Sequence, residues 1–216
     1  MEKKVKIITD TMQVFGIKPE QMIESWLKEG ALSPDFLHEF SKQVEAYEVS
    51  IDVHVGWYAF EGYHFAPNPD AFPNLQGVVA YIDMNASKGQ RIAVLLPKMA
   101  YSTRYHAKDI LLGASDKYDG WANSKLIGVE LEGFEVVGIE KEKIFSPAIK
   151  QLELCGKNLD VINPAMLKIG GEPLYDFVWS STEVNENSAW GIYFPNNTPM
   201  MTPKCNSFFE RRMFLL

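Results

Sequence analysis

The spacing of apolar residues changes once along this 216-residue chain, close to residue 50. Before that point apolar side chains recur at helical intervals, as in the set Met22, Ile23, Trp26 and Leu27. After it they alternate with polar or small residues, as in the set Ile51, Val53, Val55 and Trp57. No single secondary structure satisfies both periods. The sequence therefore predicts a helical hairpin over residues 1–50 and a second, strand-containing domain over residues 51–216.

The predicted hairpin contains two helices with recognisable ends. Pro19 lies in the first turn of one helix, where its missing N–H is harmless, and Gly30 ends it. Ser33 is the N-cap of the other, whose apolar stripe runs from Phe36 to Val44. These aromatic faces need a surface to bury against, so we expect residues 1–50 to serve docking or oligomerisation.

The second domain reads as an α+β fold of short, mostly antiparallel strands with two helices. The two helices are expected at 147–154 and 159–168, with a further short helix near 107–112. Strands are expected at 51–57, 77–83, 90–96, 126–133, 134–139, 177–181, 189–194 and 208–216. The aromatic, proline-rich stretch 61–73 is expected to be a loop. The aromatic residues of Trp57–Phe72 are a second candidate binding patch, although their composition is more typical of a core or a subunit interface.

Charge and hydropathy exclude several classes of partner. The net charge is −7, from 21 Lys+Arg against 28 Asp+Glu, and no extended basic cluster is present, so nucleic acid is not expected to bind. The apolar runs are too short for membrane insertion. The start of the chain, Met1–Lys6, is basic but is not followed by an uninterrupted apolar segment, so no secretory signal is expected.

Cysteine and histidine usage gives no reason to expect a cofactor. Cys155 and Cys205 cannot form a disulfide framework; two idle thiols or one disulfide both remain open. His54 and His64 lie in aromatic segments without the spacing of a zinc site. A metal there would require these side chains to converge with a carboxylate such as Glu61.

Several segments, in order, resemble one family. They are 77–83 (GVVAYID), 118–125 (YDGWANSK), 147–152 (PAIKQL), 162–171 (INPAMLKIGG), 178–183 (VWSSTE) and 189–190 (AW). The chain is similar over roughly residues 75–216 to the C-type-lectin-like domains of the Fibrobacter-succinogenes-type major domain and domain-of-unknown-function 1566 (DUF1566) family. Members occur in gut Bacteroidales and their phages and include variable proteins of diversity-generating retroelements. This chain departs from the family pattern at 144–147 and 209–213.

The most specific part of the resemblance is a structural motif of six residues: Trp179, Ser180, Ser181, Thr182, Glu183 and Trp190. We expect the two tryptophans to form a core aromatic pair and the hydroxyls to satisfy backbone groups in a tight turn. No nucleophile elbow surrounds the serines, so no catalytic residue is assigned.

The segment from Tyr193 to Asn206 is the predicted binding loop. Pro195, Pro199 and Pro203 are expected to prevent regular strand pairing there, and adjacent methionines expose soft apolar surface. The candidate ligand-binding residues are Asn185, Asn187, Tyr193, Asn196, Asn197, Thr198, Met200, Met201, Lys204 and Asn206.

These features predict a non-enzymatic recognition or structural protein. The resemblance implies a phage or prophage virion component, such as a tail or fibre, that forms in the cytoplasm and binds a host-surface protein or glycan. Residues 1–50 would contact other virion proteins and make a homo-oligomer. Two alternatives stay open: a formylglycine-generating-type oxidase with copper on Cys155 and Cys205, and an intracellular protein-binding adaptor.

Overall fold

The computed structural model describes residues 53–87, 89–102, 110–129, 131 and 133–216. The chain separates into two units between Val53 and His54. The helical hairpin predicted for residues 1–50 lies outside the described residues. The description below concerns the second unit.

Eight strands and three α-helices are present in the described part of the chain. The strands are β1 (Tyr58–Phe60), β2 (His64–Ala66), β3 (Leu75–Ile82), β4 (Ile92–Ser102), β5 (Phe177–Glu183), β6 (Ser188–Tyr193), β7 (Thr198–Pro203) and β8 (Phe208–Leu215). The helices are α1 (Gly120–Ile127), α2 (Ile149–Gly156) and α3 (Leu159–Lys168).

All eight strands form one sheet in the order β2-β1-β3-β4-β8-β5-β6-β7. Every neighbouring pair is antiparallel except β5 and β8, which are parallel. The expected α+β class with mostly antiparallel strands is therefore confirmed. The last strand in the chain, β8, lies in the middle of the sheet, and β7 lies at one edge.

Strand β8 shows why the sheet is covered on both faces. Met213 belongs to the large core cluster beside α2 and α3, whereas its neighbour Phe214 belongs to a second cluster on the opposite face. Alternate side chains of a strand point to opposite faces, so an apolar residue at each position requires two covered faces. On the α2 and α3 side, the helices contribute completely buried residues such as Leu152 and Ile162. Burying each such side chain contributes about 1.5–3 kcal/mol.

The segment expected to be a strand at 126–133 begins instead as the end of helix α1. Asp119 caps this helix by accepting a hydrogen bond from the Ala122 amide at 2.9 Å. Gly128 ends it with a φ of 71°, a left-handed conformation that glycine adopts without strain. The described part of the domain therefore contains three helices, one more than the two predicted.

Four other expected elements differ from the structure. The described part of 51–57 is a turn rather than a strand, with strand β1 beginning at Tyr58, and the expected loop 61–73 contains strand β2. Within 134–139 only an isolated bridge joins Val136 to Ile139. Residues 110–112, the described end of the short helix expected near 107–112, are not helical. The predictions for these segments rest on local alternation and composition, whereas a strand forms only where a neighbouring strand is available to pair with it.

Candidate binding surface at the sheet edge

Residues Ser188–Pro203 form an antiparallel hairpin, here called the edge ribbon. Its strands β6 and β7 pair along their whole length, from Ser188 opposite Pro203 to Tyr193 opposite Thr198. The expectation that the prolines prevent regular pairing was therefore wrong. Proline is tolerated in a strand at a sheet edge, where its nitrogen faces away from the neighbour.

Strand β7 is exposed on both of its faces. Pro199, Met201 and Pro203 lie on the same face as Trp190, because residues directly opposite each other in a pair share a face. Met200 lies on the other face, opposite Gly191. Met200 is 46% exposed and Met201 is 59% exposed. Apolar surface is thus presented on both sides of a projecting strand.

The edge ribbon carries no charge of its own. None of the sixteen residues from Ser188 to Pro203 is acidic or basic, whereas 23% of the whole chain is charged. A positive group lies close to it on Lys117, whose Nζ is 5.7 Å from the centre of the Trp190 ring. The ribbon therefore presents aromatic, amide, hydroxyl and thioether groups on a protein of net charge −7.

The predicted ligand-binding residues divide between the two ends of this ribbon. Asn185 and Asn187 lie in the β5–β6 turn, where the Asn185 side chain accepts from the Asn187 amide at 2.9 Å. Asn206 lies at the same end, and its side-chain amide donates to Thr202. At the other end, about 20 Å away for six residues of strand, are Tyr193, Asn196, Asn197 and Thr198. Met200 and Met201 lie between the two groups.

Lys204 is not a surface residue, contrary to the prediction. Its side chain is completely buried and donates to the carboxylate of Glu183 and, at 2.8 Å, to the carbonyl of Ile110. Its backbone amide donates to the carbonyl of Asn187 at 2.9 Å. A buried ammonium requires such partners because its desolvation is costly. Lys204 therefore fastens the end of the ribbon to the body of the domain.

Glu183 accepts hydrogen bonds from three residues in this buried cluster. Besides Lys204, the Leu112 amide donates at 2.9 Å and the Gly113 amide at 2.8 Å. Burial by itself would raise the pKa of Glu183, but the hydrogen bonds from Lys204 and the two amides outweigh it and lower that pKa. The carboxylate is therefore ionised and holds strand β5, the segment at 110–114 and the end of β7 together.

Asn197 has a packing role that the sequence did not indicate. It adopts a φ of 50° at the turn between β6 and β7, which asparagine tolerates better than most residues. Its side chain lies against Gly156 at the end of α2, where a Cβ would overlap it. This contact fixes the turn end of the ribbon to α2. Asn196 and Tyr193 remain exposed.

The Ser-Ser-Thr-Glu segment lies in strand β5 rather than in the expected tight turn. The Ser180 hydroxyl donates to the Trp190 carbonyl at 2.7 Å. The Thr182 hydroxyl donates to the Asp116 carbonyl at 2.9 Å and accepts from the Ile149 amide at 3.0 Å. The hydroxyls of Ser180 and Thr182 do satisfy backbone groups, and they join β5 to β6, to the segment before α1 and to α2.

The two motif tryptophans lie on opposite faces of the sheet and do not form the expected pair. Trp179 is buried in a cluster with Phe177 and Ala189. Trp190, partly buried, packs against the large cluster on the side of α2 and α3. The register explains this, because Trp179 pairs with Gly191 and therefore shares a face with Gly191 rather than with Trp190.

The described residues contain no group of three or more His, Cys, Asp or Glu side chains that could hold a metal ion. His54 contacts the Trp57 ring, and His64 stacks on Phe72 at 4.8 Å. Cys155 is buried in the core, whereas Cys205 is exposed, and both are free thiols. The two cysteines thus form neither a disulfide nor the paired copper site that the oxidase alternative requires.

A small gap beside Ser181 is too tight for a ligand. It is lined by Ile127, Val129, Ser146, Trp179, Ser180, Ser181 and Glu210, and it leaves no room for a water molecule. The Ser181 hydroxyl finds no hydrogen-bond partner among the described residues. This serine is therefore a buried polar group of the core and not an accessible nucleophile.

Comparison with known proteins gives a relationship at the level of the fold. No family model and no curated protein matches the chain. The fold is similar to that of a fimbrial protein from Bacteroides ovatus, with a TM-score of 0.57 and 13% identity, over 76% of this chain and 49% of that one. The chain thus spans about half the length of that protein. No helix in the described part is long and apolar enough to cross a bilayer.

Proposed function

We propose that this chain is a non-enzymatic recognition protein of the surface or adhesion type, with a C-type-lectin-like domain that binds a host-surface protein or glycan through the edge ribbon. The observation that carries the proposal is the ribbon itself, which exposes Met200 and Met201 on opposite faces of an uncharged edge strand. Exposed methionines in a fixed scaffold are typical of binding surfaces.

The support beneath the ribbon favours the same interpretation. Glu183 and Lys204 hold one end, Asn197 packs on Gly156 at the other, and Ser180 binds the middle of β6. A binding surface held in place loses little conformational entropy when a ligand docks. The fimbrial neighbour agrees with a surface role at the level of fold. It gives no support to a phage tail or fibre in particular.

The decisive experiment measures binding of the full chain to immobilised host surfaces. The probes are an array of neutral and acidic glycans, mucin, and extracellular-matrix proteins. Any surface that binds the wild type is tested again with the double variant Met200→Asp/Met201→Asp. We expect at least about a tenfold loss of affinity, about 1.4 kcal/mol, because two carboxylates would be desolvated on docking.

Met84→Asp is the matched control, since Met84 is 58% exposed in the turn after β3. Strands β8, β5 and β6 separate β4, the partner of β3, from β7. The control should bind like the wild type. Equal binding by the ribbon variant, or equal loss in both variants, contradicts a role for the ribbon.

Multivalency belongs to the proposal through residues 1–50, which we propose contact other assembly proteins and make the chain a homo-oligomer. Several weak ribbons on one particle would then bind with avidity. Light scattering on the full chain and on a chain beginning at Ser50 tests this. A discrete oligomer that becomes a monomer on shortening supports it, and two monomers contradict it.

A further inference from the structure

The free edge of β7 lacks most of the backbone donors that a strand edge normally offers. Pairs in an antiparallel ladder alternate between those that exchange hydrogen bonds and those that do not. Lys204 donates its amide to Asn187 of the neighbouring strand segment, which places the even-numbered residues of β7 in the hydrogen-bonded pairs. The backbone groups of Pro199, Met201 and Pro203 therefore face outward.

Two of those three outward positions are proline. Proline has no N–H, so among the outward-facing residues 199, 201 and 203 only Met201 carries a donor. An incoming strand would meet one donor where three are normal, and each proline ring would crowd its backbone. Exposed edge strands elsewhere are protected from added strands in the same way.

From this placement we infer that Pro199 and Pro203 close the β7 edge to strand addition, so that the edge ribbon contacts its partner through side chains rather than by adding a strand to the sheet. This inference rests on the proposed function, which identifies the edge ribbon as the binding surface. It adds to that proposal how the ribbon contacts its partner. It also explains how a strand with two exposed methionines avoids pairing with the β7 strand of a second copy.

The kind of partner follows from the same surface. A partner that docks on β7 meets proline and thioether groups on one face, threonine and thioether groups on the other, and no charged side chain between Ser188 and Pro203. Its complementary surface is therefore uncharged and contacts both sides of the strand. Pairing of β7 with the β7 strand of a second copy, which would use the backbone edge, is what the prolines exclude.

The test restores the missing donors in the full chain with the double variant Pro199→Thr/Pro203→Thr. Threonine favours extended backbone and returns an outward N–H at each position. We expect light scattering to show a mass at least about twice that of the wild type at equal concentration, because free β7 edges of separate particles pair about two-fold axes. An unchanged mass in a variant with wild-type circular dichroism overturns the inference.

Two controls separate edge pairing from loss of structure. Pro73→Thr/Pro195→Thr makes the same chemical change in exposed residues outside β7 and should leave the mass unchanged. Adding Met201→Pro to the double variant removes the central one of the three outward donors and places a proline ring in the middle of the edge, so the mass should fall toward the wild-type value. A mass that does not fall in this triple variant also overturns the inference, since association would then not use the edge. The aspartate variants test the proposed function independently of either result.

Discussion

The ammonium of Lys204, one residue after β7, donates to the carboxylate of Glu183 at the end of β5, and both side chains are completely buried. The two residues are 21 positions apart in the chain. The edge ribbon lies between them in sequence. Their contact therefore holds the base of the ribbon against the rest of the domain and positions the proposed binding surface.

Removing Lys204 should be costly for stability. In Lys204→Met the Glu183 carboxylate stays buried without its cation, and we expect the free energy of unfolding to fall by about 3–5 kcal/mol. The second change in Lys204→Met/Glu183→Gln removes the stranded charge and leaves an acceptor for the Leu112 and Gly113 amides. Measured by urea unfolding, this double variant should recover a large part of the lost free energy of unfolding. Equal stability of wild type and single variant would rule out a structural role for the pair.

The same pair predicts how stability depends on pH. The folded pKa of Glu183 is lowered from its ordinary value of 4.5, so its contribution is fully present above that value and is lost as the pH falls through the lowered pKa. We expect Glu183→Gln to be less stable than the wild type at pH 7, with a gap that narrows below pH 4.5. Urea unfolding of both proteins across this range is the measurement. A gap that widens toward acid would show the opposite sign.

Arg211 is expected to be a second determinant of stability. Its guanidinium is buried and donates to the carbonyls of Leu96, Pro97 and Lys98 at 2.7–3.3 Å, where the register of β4 against β8 shifts. Burial lowers the pKa of Arg211 to about 10, so it is charged at neutral pH. Arg211→Met should reduce the free energy of unfolding by roughly 2–4 kcal/mol, because buried carbonyls lose their donor.

Arg91→Met is the matched control for that measurement. Arg91 is only partly buried, and its Nε donates to the Ala86 carbonyl at 3.1 Å. Its loss should cost less than about 1 kcal/mol, since water can replace the hydrogen bond. Similar losses in both variants would mean that the carbonyls of β4 do not depend on Arg211.

The two cysteines should differ sharply in reactivity. Burial raises the pKa of the Cys155 thiol to about 12, and no solvent reaches it. Cys205 is exposed. Iodoacetamide should therefore modify one site in the native protein and two after unfolding, with mass spectrometry placing the first at Cys205. Native modification of Cys155 would contradict its position in the core.

Local sequence patterns were sufficient to predict the bounds of several helices and strands. Helix α3 has the predicted bounds, 159–168, and β8 was predicted at 208–216 against the observed Phe208–Leu215. In both segments the regular spacing of apolar residues is visible within the segment itself. The helix or strand can therefore be recognised without knowledge of any distant contact. Helix α1 was missed although Asp119 supplies an N-cap, because the apolar residues that follow it were read as a strand.

The candidate site was predicted less completely for a physical reason. The segment was found from its composition, and Met200, Met201, Asn196 and Tyr193 are exposed there as expected. The burial of Lys204 and the packing of Asn197 were not predicted, because they depend on Glu183 and Gly156, which no short-range pattern connects to them. The same holds for Lys117, which no short-range pattern connects to Trp190 although its ammonium lies over that ring.

The sequence by itself determined the alternation of β8 with both faces buried, helix α3 and the uncharged composition of residues 188–203, since each is a property of adjacent positions. Tertiary structure decided which strand lies at the edge of the sheet. That position turns Pro199 and Pro203 from residues that disrupt pairing into residues that protect a free edge. It also buries Lys204 against Glu183, because strand order and ion pairing depend on contacts between residues far apart in the chain.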